Sequence, residues 1–334
     1  MLGEGEQPLL DLVNALEAGK PTDNIIGLKT TTNFEQPDTF YQEANLQELP
    51  IPEYENTNFE MFRNKAIPVY SNRGCTFRCH FCSEYKLFGK KFKRRTPERV
   101  IEDMRILRKK HNINAFYFCD SLLNASQNDQ WLEEFVDLLP KNEDKFYWYG
   151  RFRAELTRDL INRMKDTGLL TAGMGVESFS QDTLNKMNKK KDEENIMTTI
   201  YALIDNNIKA SINLFVGYPG EKEENFMETF ETTNKLYNEF KQKGKLDHFK
   251  MTIRNFELRP YSSMFDAYEK FGITADKWGP YFDEKFHPEE LKDVFEKTLC
   301  SFVVNDVSIN DTIHRLYLLN QIRNKDMFYQ EEDG

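Results

Sequence analysis

Ala66-Ile67-Pro68-Val69-Tyr70-Ser71 is a short apolar run, and soon after it comes the loop Cys75-Thr76-Phe77-Arg78-Cys79-His80-Phe81-Cys82. The fold and the chemistry both turn on this strand emptying into a cysteine loop. Three of the chain's five cysteines lie in that loop, spaced CxxxC and then CxxC. Three thiolates so placed can hold three irons of a [4Fe–4S] cube and leave the fourth open, whereas an electron-transfer cluster normally takes four cysteines. Cys119 and Cys300 each stand alone. A structural zinc would want four ligands, usually in two separated pairs, and His80, inside the same tight loop, reaches back poorly. A catalytic zinc held by three thiolates and a water would lack its customary histidines. An odd, sparse set of cysteines also argues against disulfides. The donor set favours an iron–sulfur cluster over zinc or unligated thiols.

A chain of 334 residues, 39% hydrophobic and 13% aromatic, is long enough for one large α/β domain with a smaller appendage. Its net charge of −10 argues against nucleic-acid or anionic-membrane partners. Positive charge is local: Lys90, Lys91, Lys93, Arg94 and Arg95 follow the cysteine loop, either to neutralise an anion or as a solvated run. No apolar run reaches transmembrane length and the N-terminus has no signal-peptide pattern. The expected location is the cytoplasm, where thiols stay reduced.

Along the chain, Pro8–Ala18 carries Leu9, Leu10, Leu12, Val13 and Leu16 at helical spacing and ends at Gly19-Lys20-Pro21. This helix is expected to pack on the main body through Leu9, Leu12, Val13 and Leu16. A Thr/Asn/Glu/Pro-rich linker follows. From residue 66 strands and helices alternate: strands in Ala66–Ser71, Ala115–Cys119, Phe146–Tyr149, Leu169–Val176, Ser211–Val216 and Phe249–Leu258. Thr96-Pro97-Glu98 opens the first intervening helix with a cap, a proline and an acid. Six alternations fit a parallel sheet with right-handed crossovers, open or closed into a barrel. The division expected is residues 1–62 as an N-terminal stub and linker, 63–265 as the core and 266–334 as a C-terminal helical extension.

In a parallel barrel the chemistry gathers where the strands end. Each notable polar motif falls at such a place: Cys75–Cys82, Asp120-Ser121, Arg151 and Arg153, Glu177-Ser178, Gly217-Tyr218-Pro219-Gly220-Glu221 and Arg259-Pro260. Random polar residues would not choose the same rim six times.

The CxxxCxxC loop, with an aromatic before its last cysteine, resembles the radical S-adenosylmethionine (radical SAM) superfamily. Phe118-Cys119-Asp120-Ser121-Leu122-Leu123-Asn124, Met174-Gly175-Val176-Glu177-Ser178 and Phe215-Val216-Gly217-Tyr218-Pro219-Gly220-Glu221 are similar to motifs of its branch that usually carries an N-terminal cobalamin-binding domain. The resemblance spans about residues 60–265. It implies an α/β fold, a partial parallel (β/α)6 barrel with an N-terminal linker stub and a small C-terminal extension. It implies cluster ligation by Cys75, Cys79 and Cys82, with S-adenosylmethionine chelated at the open iron and cleaved to a radical that abstracts hydrogen from a substrate the motifs do not name. Cofactor contacts are implied for Phe81, Asp120, Arg153, Gly173, Gly175, Glu177 and Gly217. The alternatives are a capping Asp120, a Glu177 paired structurally with Arg153, a core Phe81, an ordinary Gly217–Gly220 turn and a buried Cys119. An electron donor such as flavodoxin or ferredoxin is the implied partner. Gly3-Glu4-Gly5-Glu6 is similar to the segment joining a cobalamin domain to the barrel, yet no Asp-x-His-x-x-Gly motif occurs, so cobalamin is left open. The other readings are cobalamin-dependent methyl transfer with the missing domain supplied elsewhere, and a non-catalytic iron–sulfur scaffold.

Overall fold

The computed structural model describes residues 2–30, 39–41, 45–62, 65–88, 92–125, 130–189, 193–276, 301–304 and 309–324. Lys90, Lys91 and Cys300 lie outside them. The chain forms two compact units, one of Met1–Phe77, Ser83–Arg151 and Asp166–Leu169, the other of Arg78–Cys82, Phe152–Lys165 and Leu170–Gly334.

In the first unit the order is α1 (Glu6–Glu17), β1 (Ile67–Val69), β2 (Asn72–Arg73), α2 (Glu84–Leu87), β3 (Lys93–Arg94), α3 (Pro97–His111), β4 (Ala115–Phe118), α4 (Gln130–Leu138) and β5 (Tyr147–Phe152). β1, β4 and β5 pair in parallel, with Val69 opposite Phe118 and Phe116 opposite Trp148. Alternate residues of these short strands (Ile67 and Val69, Phe116 and Phe118, Trp148 and Phe152) are buried, so one face of each carries the core. Phe116, Phe118, Phe135, Phe146 and Trp148 are fully buried. Phe118 meets Phe135 edge-on at 5.5 Å and Phe135 meets Trp148 at 5.8 Å. Burial of each such ring contributes about 1.5–3 kcal/mol, and aromatic pairing adds roughly 0.5–1.5 kcal/mol. α3 starts where the Thr96 hydroxyl accepts the Arg99 N–H at 3.3 Å and Pro97 presets the first turn. Its Val100, Ile101, Met104 and Leu107 are buried.

The second unit runs α5 (Arg158–Asp166), β6 (Leu169–Glu177), α6 (Gln181–Lys186), α7 (Glu193–Asp205), β7 (Lys209–Val216), α8 (Glu223–Gln242), β8 (Phe249–Asn255), β9 (Ile273–Asp276), β10 (Ser301–Val304) and α9 (Ile309–Asn324). β6, β7 and β8 are parallel, with Met174 opposite Ile212 and Ile212 opposite Met251. Alternate residues of β7 (Ala210, Ile212, Leu214, Val216) are fully buried while their neighbours are not, so one face is core. Phe240 of α8 packs on Phe249 at 5.2 Å, which identifies that face as the helix-covered one. The fold class is α/β, with six parallel strands alternating with helices, the class the sequence led one to expect.

Two expectations need correction. Leu9, Leu10, Val13 and Leu16 of α1 are exposed, Leu16 by 64%, so the helix does not bury the face assigned to it. What holds the N-terminal segment is charge: buried Glu4 takes Arg73 at 3.2 Å and also pairs with Lys93, while Glu6 pairs with Arg73. Within the basic run, Lys93, Arg94 and Arg95 are likewise structural. Arg95 is buried, donates to the carbonyls of Leu46 and Leu49 and to Tyr70, and pairs with Asp103, stitching the linker down. The C-terminal extension contains the antiparallel pair β9–β10 as well as its helix.

Candidate cofactor site

The cysteine loop leaves β1 through β2. Gly74 turns it at φ +87°, a conformation that costs glycine little. In the first unit, Thr76 holds the start of the loop by donating its N–H and its hydroxyl to the Ala125 carbonyl, at 3.2 and 2.6 Å. Asp120, just past β4, is buried and ties the same strand end. It accepts the Ser71 N–H at 2.9 Å, the Ser71 hydroxyl at 2.9 Å and the Asn72 N–H. Burial pushes its carboxyl up to about 6, against the downward pull of those donors. Asp120 therefore caps the β1 end and not a helix. Cys119 beside it is exposed, contrary to the expectation of a small buried residue.

The second unit holds the remainder of the loop, Arg78–Cys82. His80 is immobilised from three sides. Its N–H donates to the Met187 carbonyl at 3.0 Å, its ring Nδ1 lies 3.0 Å from the Lys186 carbonyl, and its own carbonyl accepts the Met264 N–H at 3.0 Å. Asn188 Nδ2 donates to the Arg78 carbonyl at 2.8 Å. The turn after α6 is thus the back wall of the loop, and a ring held by Nδ1 to a carbonyl is an anchor. Phe81 packs edge-on against Phe215 at 5.3 Å, at the end of β7.

At the end of β6 a register shift between Gly175 and Glu177 re-aims the chain, and Glu177 takes φ +70°. A non-glycine residue in that region is uncommon and often marks a functional position. Glu177 and Lys189 are both buried and paired at 2.6 Å, and the Lys189 ammonium lies 5.6 Å from the centre of the Phe81 ring. Gly175 leaves room for this pair, since a Cβ would stand 2.4 Å from Glu177 Oε1 and 3.2 Å from Lys189 Nζ and would push the carboxylate aside. The partner expected for Glu177 was Arg153; the one found is Lys189, whose carbonyl accepts from Arg153 while Arg153 also pairs with Glu155 at 2.7 Å. Gly173 lies on the same open face of β6.

At the end of β7, Gly217 (φ +76°) donates its N–H to Glu221 Oε2 at 2.9 Å. The same buried carboxylate takes Arg315 of α9 at 2.9 Å. Burial holds the Glu221 carboxyl above its ordinary range, with Gly217 and Arg315 pulling it down. A Cβ on Gly217 would meet the Thr312 hydroxyl at 2.8 Å, so α9 closes over this turn. Cys75, Cys79 and Cys82 stand outside any disulfide, Cys79 buried and the other two half-buried. Among the described residues no three His, Cys, Asp or Glu side chains stand already grouped as a metal site. The fit of a cluster rests on the donor set itself: three cysteines at CxxxCxxC, none in a disulfide, with the His80 imidazole engaged elsewhere. Lys189 and His80's anchoring role escaped the sequence reading. Lys189 stands in Asn188-Lys189-Lys190-Lys191, which reads as a solvated charge run.

The model of the radical SAM superfamily matches residues 69–233. The chain belongs to that superfamily, whose domain works with a [4Fe–4S] cluster and S-adenosylmethionine. An uncharacterized methyltransferase of Pyrococcus horikoshii is 27% identical over 251 residues, 72% of this chain and 53% of that protein. The anaerobic magnesium-protoporphyrin IX monomethyl ester cyclase of Rubrivivax gelatinosus is 27% identical over 246 residues, 68% of this chain and 43% of that one. The chain therefore spans about half the length of these curated relatives. Among solved structures, the radical S-adenosylmethionine methyltransferase TsrM of Kitasatospora setae, with cobalamin and a [4Fe–4S] cluster bound, superposes with a TM-score of 0.63 at 16% identity, covering 96% of this chain and 68% of that one. The cobalamin-dependent S-adenosylmethionine radical enzyme OxsB, with aqua-cobalamin and S-adenosylmethionine bound, gives 0.62 at 17%, covering 80% of this chain and 44% of that one. These likenesses establish the shared fold.

Proposed function

We propose that the protein is a radical SAM enzyme, with Cys75, Cys79 and Cys82 as the three cluster ligands. One observation carries the reading: three cysteines at CxxxCxxC, none in a disulfide, follow the first strand of an α/β fold that the radical SAM model matches. When bound, the reduced cluster supplies the electron that splits S-adenosylmethionine into methionine and a 5′-deoxyadenosyl radical, which takes a hydrogen atom from the substrate. The chain's own residues position and shield. Gly173 leaves the β6 backbone open to close approach, Gly175 makes room for the Glu177–Lys189 pair, which sets fixed charges beside Phe81, and the Gly217 turn presents backbone to the adenine side. Asp120 and Arg153 act from behind by holding the Ser71–Asn72 and Lys189 backbones. A flavodoxin- or ferredoxin-type donor supplies the electron. Cytoplasmic residence is supported by the described cysteines, none of which is in a disulfide; no helix among the described residues is long and apolar enough to cross a membrane.

A second reading, methyl transfer, is favoured by the names of the relatives and by the cobalamin in both superposed structures. Cobalamin would then come from outside these 334 residues. One experiment addresses both. Anaerobically reconstituted protein, reduced with dithionite and given S-adenosylmethionine, is expected to form 5′-deoxyadenosine, and the Cys75→Ala/Cys79→Ala/Cys82→Ala variant none. S-adenosylhomocysteine appearing only when hydroxocobalamin is added would move methyl transfer to first place. Neither product from fully loaded protein would leave the scaffold reading standing.

A further inference from the structure

The face of β6–β8 opposite the helix-covered one is polar and open. It carries Thr171, Gly173 and Gly175 on β6, Ser211, Asn213 and Phe215 on β7, and Lys250, Thr252 and Arg254 on β8. The register sets Ser211 beside Lys250, Asn213 beside Thr252 and Phe215 beside Arg254. Lys250 and Arg254 are both exposed, and among the described residues neither has a hydrogen bond or an ion pair. Glu257, which lines the same recess as Arg254, is engaged by Arg259 at 3.5 Å. A chain of net charge −10 thus keeps two unneutralised cations on one strand face. Arg254 also lines a pocket walled by Phe81, Phe215 and Phe256, with Phe81 the neighbour of Cys82.

We propose that this face binds an anionic small molecule, its acidic group on Arg254 and its flat apolar body against the Phe81–Phe215 edge pair. A guanidinium suits this task because its planar fork pairs with a carboxylate or a phosphate through two parallel hydrogen bonds. Phe215 and Arg254 stand side by side, so one ligand spans the apolar wall and the cation together. Lys250 lies four residues back, roughly 13 Å along the strand, too far to share that acid, and its field adds attraction at longer range. On the radical SAM reading the occupant is the substrate; the binding claim stands without it.

The test is equilibrium binding of three probes with one ring system: 2-naphthoate, 2-naphthyl phosphate and the neutral 2-naphthamide. Both acids, or whichever of the two the pocket fits, are expected to bind wild type about tenfold more tightly than the amide. Arg254→Gln should remove that difference and leave the amide where it was, Arg254→Lys should restore part of it, and Lys250→Gln should weaken the acids less and only at low salt. Equal affinities for acids and amide, or acids held unchanged by Arg254→Gln, would overturn the proposal. Iron content and 5′-deoxyadenosine, measured on the same preparations, report on the radical reading separately.

Discussion

Asp120 shows how one carboxylate fixes the approach to the cysteine loop. Its oxygens collect donors from Ser71 and Asn72. Its folded pKa of about 6 lies above the unfolded value near 3.9. The folded state therefore holds a proton that the unfolded chain has released between about pH 4 and pH 6. Stability from this group is full below about pH 4 and falls as pH rises to about 6. The loss amounts to about 3 kcal/mol from the size of the shift. Asp120→Asn removes the titration. Urea unfolding of both proteins at pH 4.5 and pH 6.5 is expected to show the gap in stability shifting in favour of the variant as pH rises. A gap that does not move would mean that the three donors outweigh burial. The sequence reading could find Asp120 by its position after a strand, but not what it ties, because its partners lie 48 and 49 positions earlier. Lys189 escaped for the same reason: only the folded turn after α6 brings it to Glu177, 12 positions back.

At the level of elements, strands with one face in the core read directly from apolar residues recurring at every second position. Expected and observed spans accordingly agree closely: Ala115–Cys119 against Ala115–Phe118, and Leu169–Val176 against Leu169–Glu177. α1 was legible as a helix but its environment was not, because helical periodicity fixes which residues share a face and says nothing of what covers it. α9 was legible only as a C-terminal helix, yet it carries the cation that fixes the Gly217 turn. Arg315 reaches Glu221 and Glu223, both at 2.9 Å. Removing it strands a buried carboxylate, which typically costs about 3–5 kcal/mol. Arg315→Leu should therefore speed hydrogen exchange in residues 309–324 and at Gly217–Glu221. Pairing it with Glu221→Gln should recover most of the lost stability, since no unpaired charge then remains. Unchanged exchange at Gly217–Glu221 in the single variant would separate the helix from the turn.

For the whole molecule, the sequence placed every polar motif near a strand end, and within each unit the strands that carry them run parallel. What composition hid was sign. A net charge of −10 conceals a strand face that carries Lys250 and Arg254, neither of which has an ion pair among the described residues. The central claim is that the three-cysteine loop leaves one iron open and that S-adenosylmethionine occupies it. Electron paramagnetic resonance of the reduced, reconstituted protein tests this most directly, with S-adenosylmethionine carrying 15N in its amino group. The account predicts a [4Fe–4S]+ signal whose g-values shift on adding the labelled compound, together with a 15N coupling in the electron–nuclear double-resonance spectrum. A cluster signal that neither shifts nor couples to the label would contradict it.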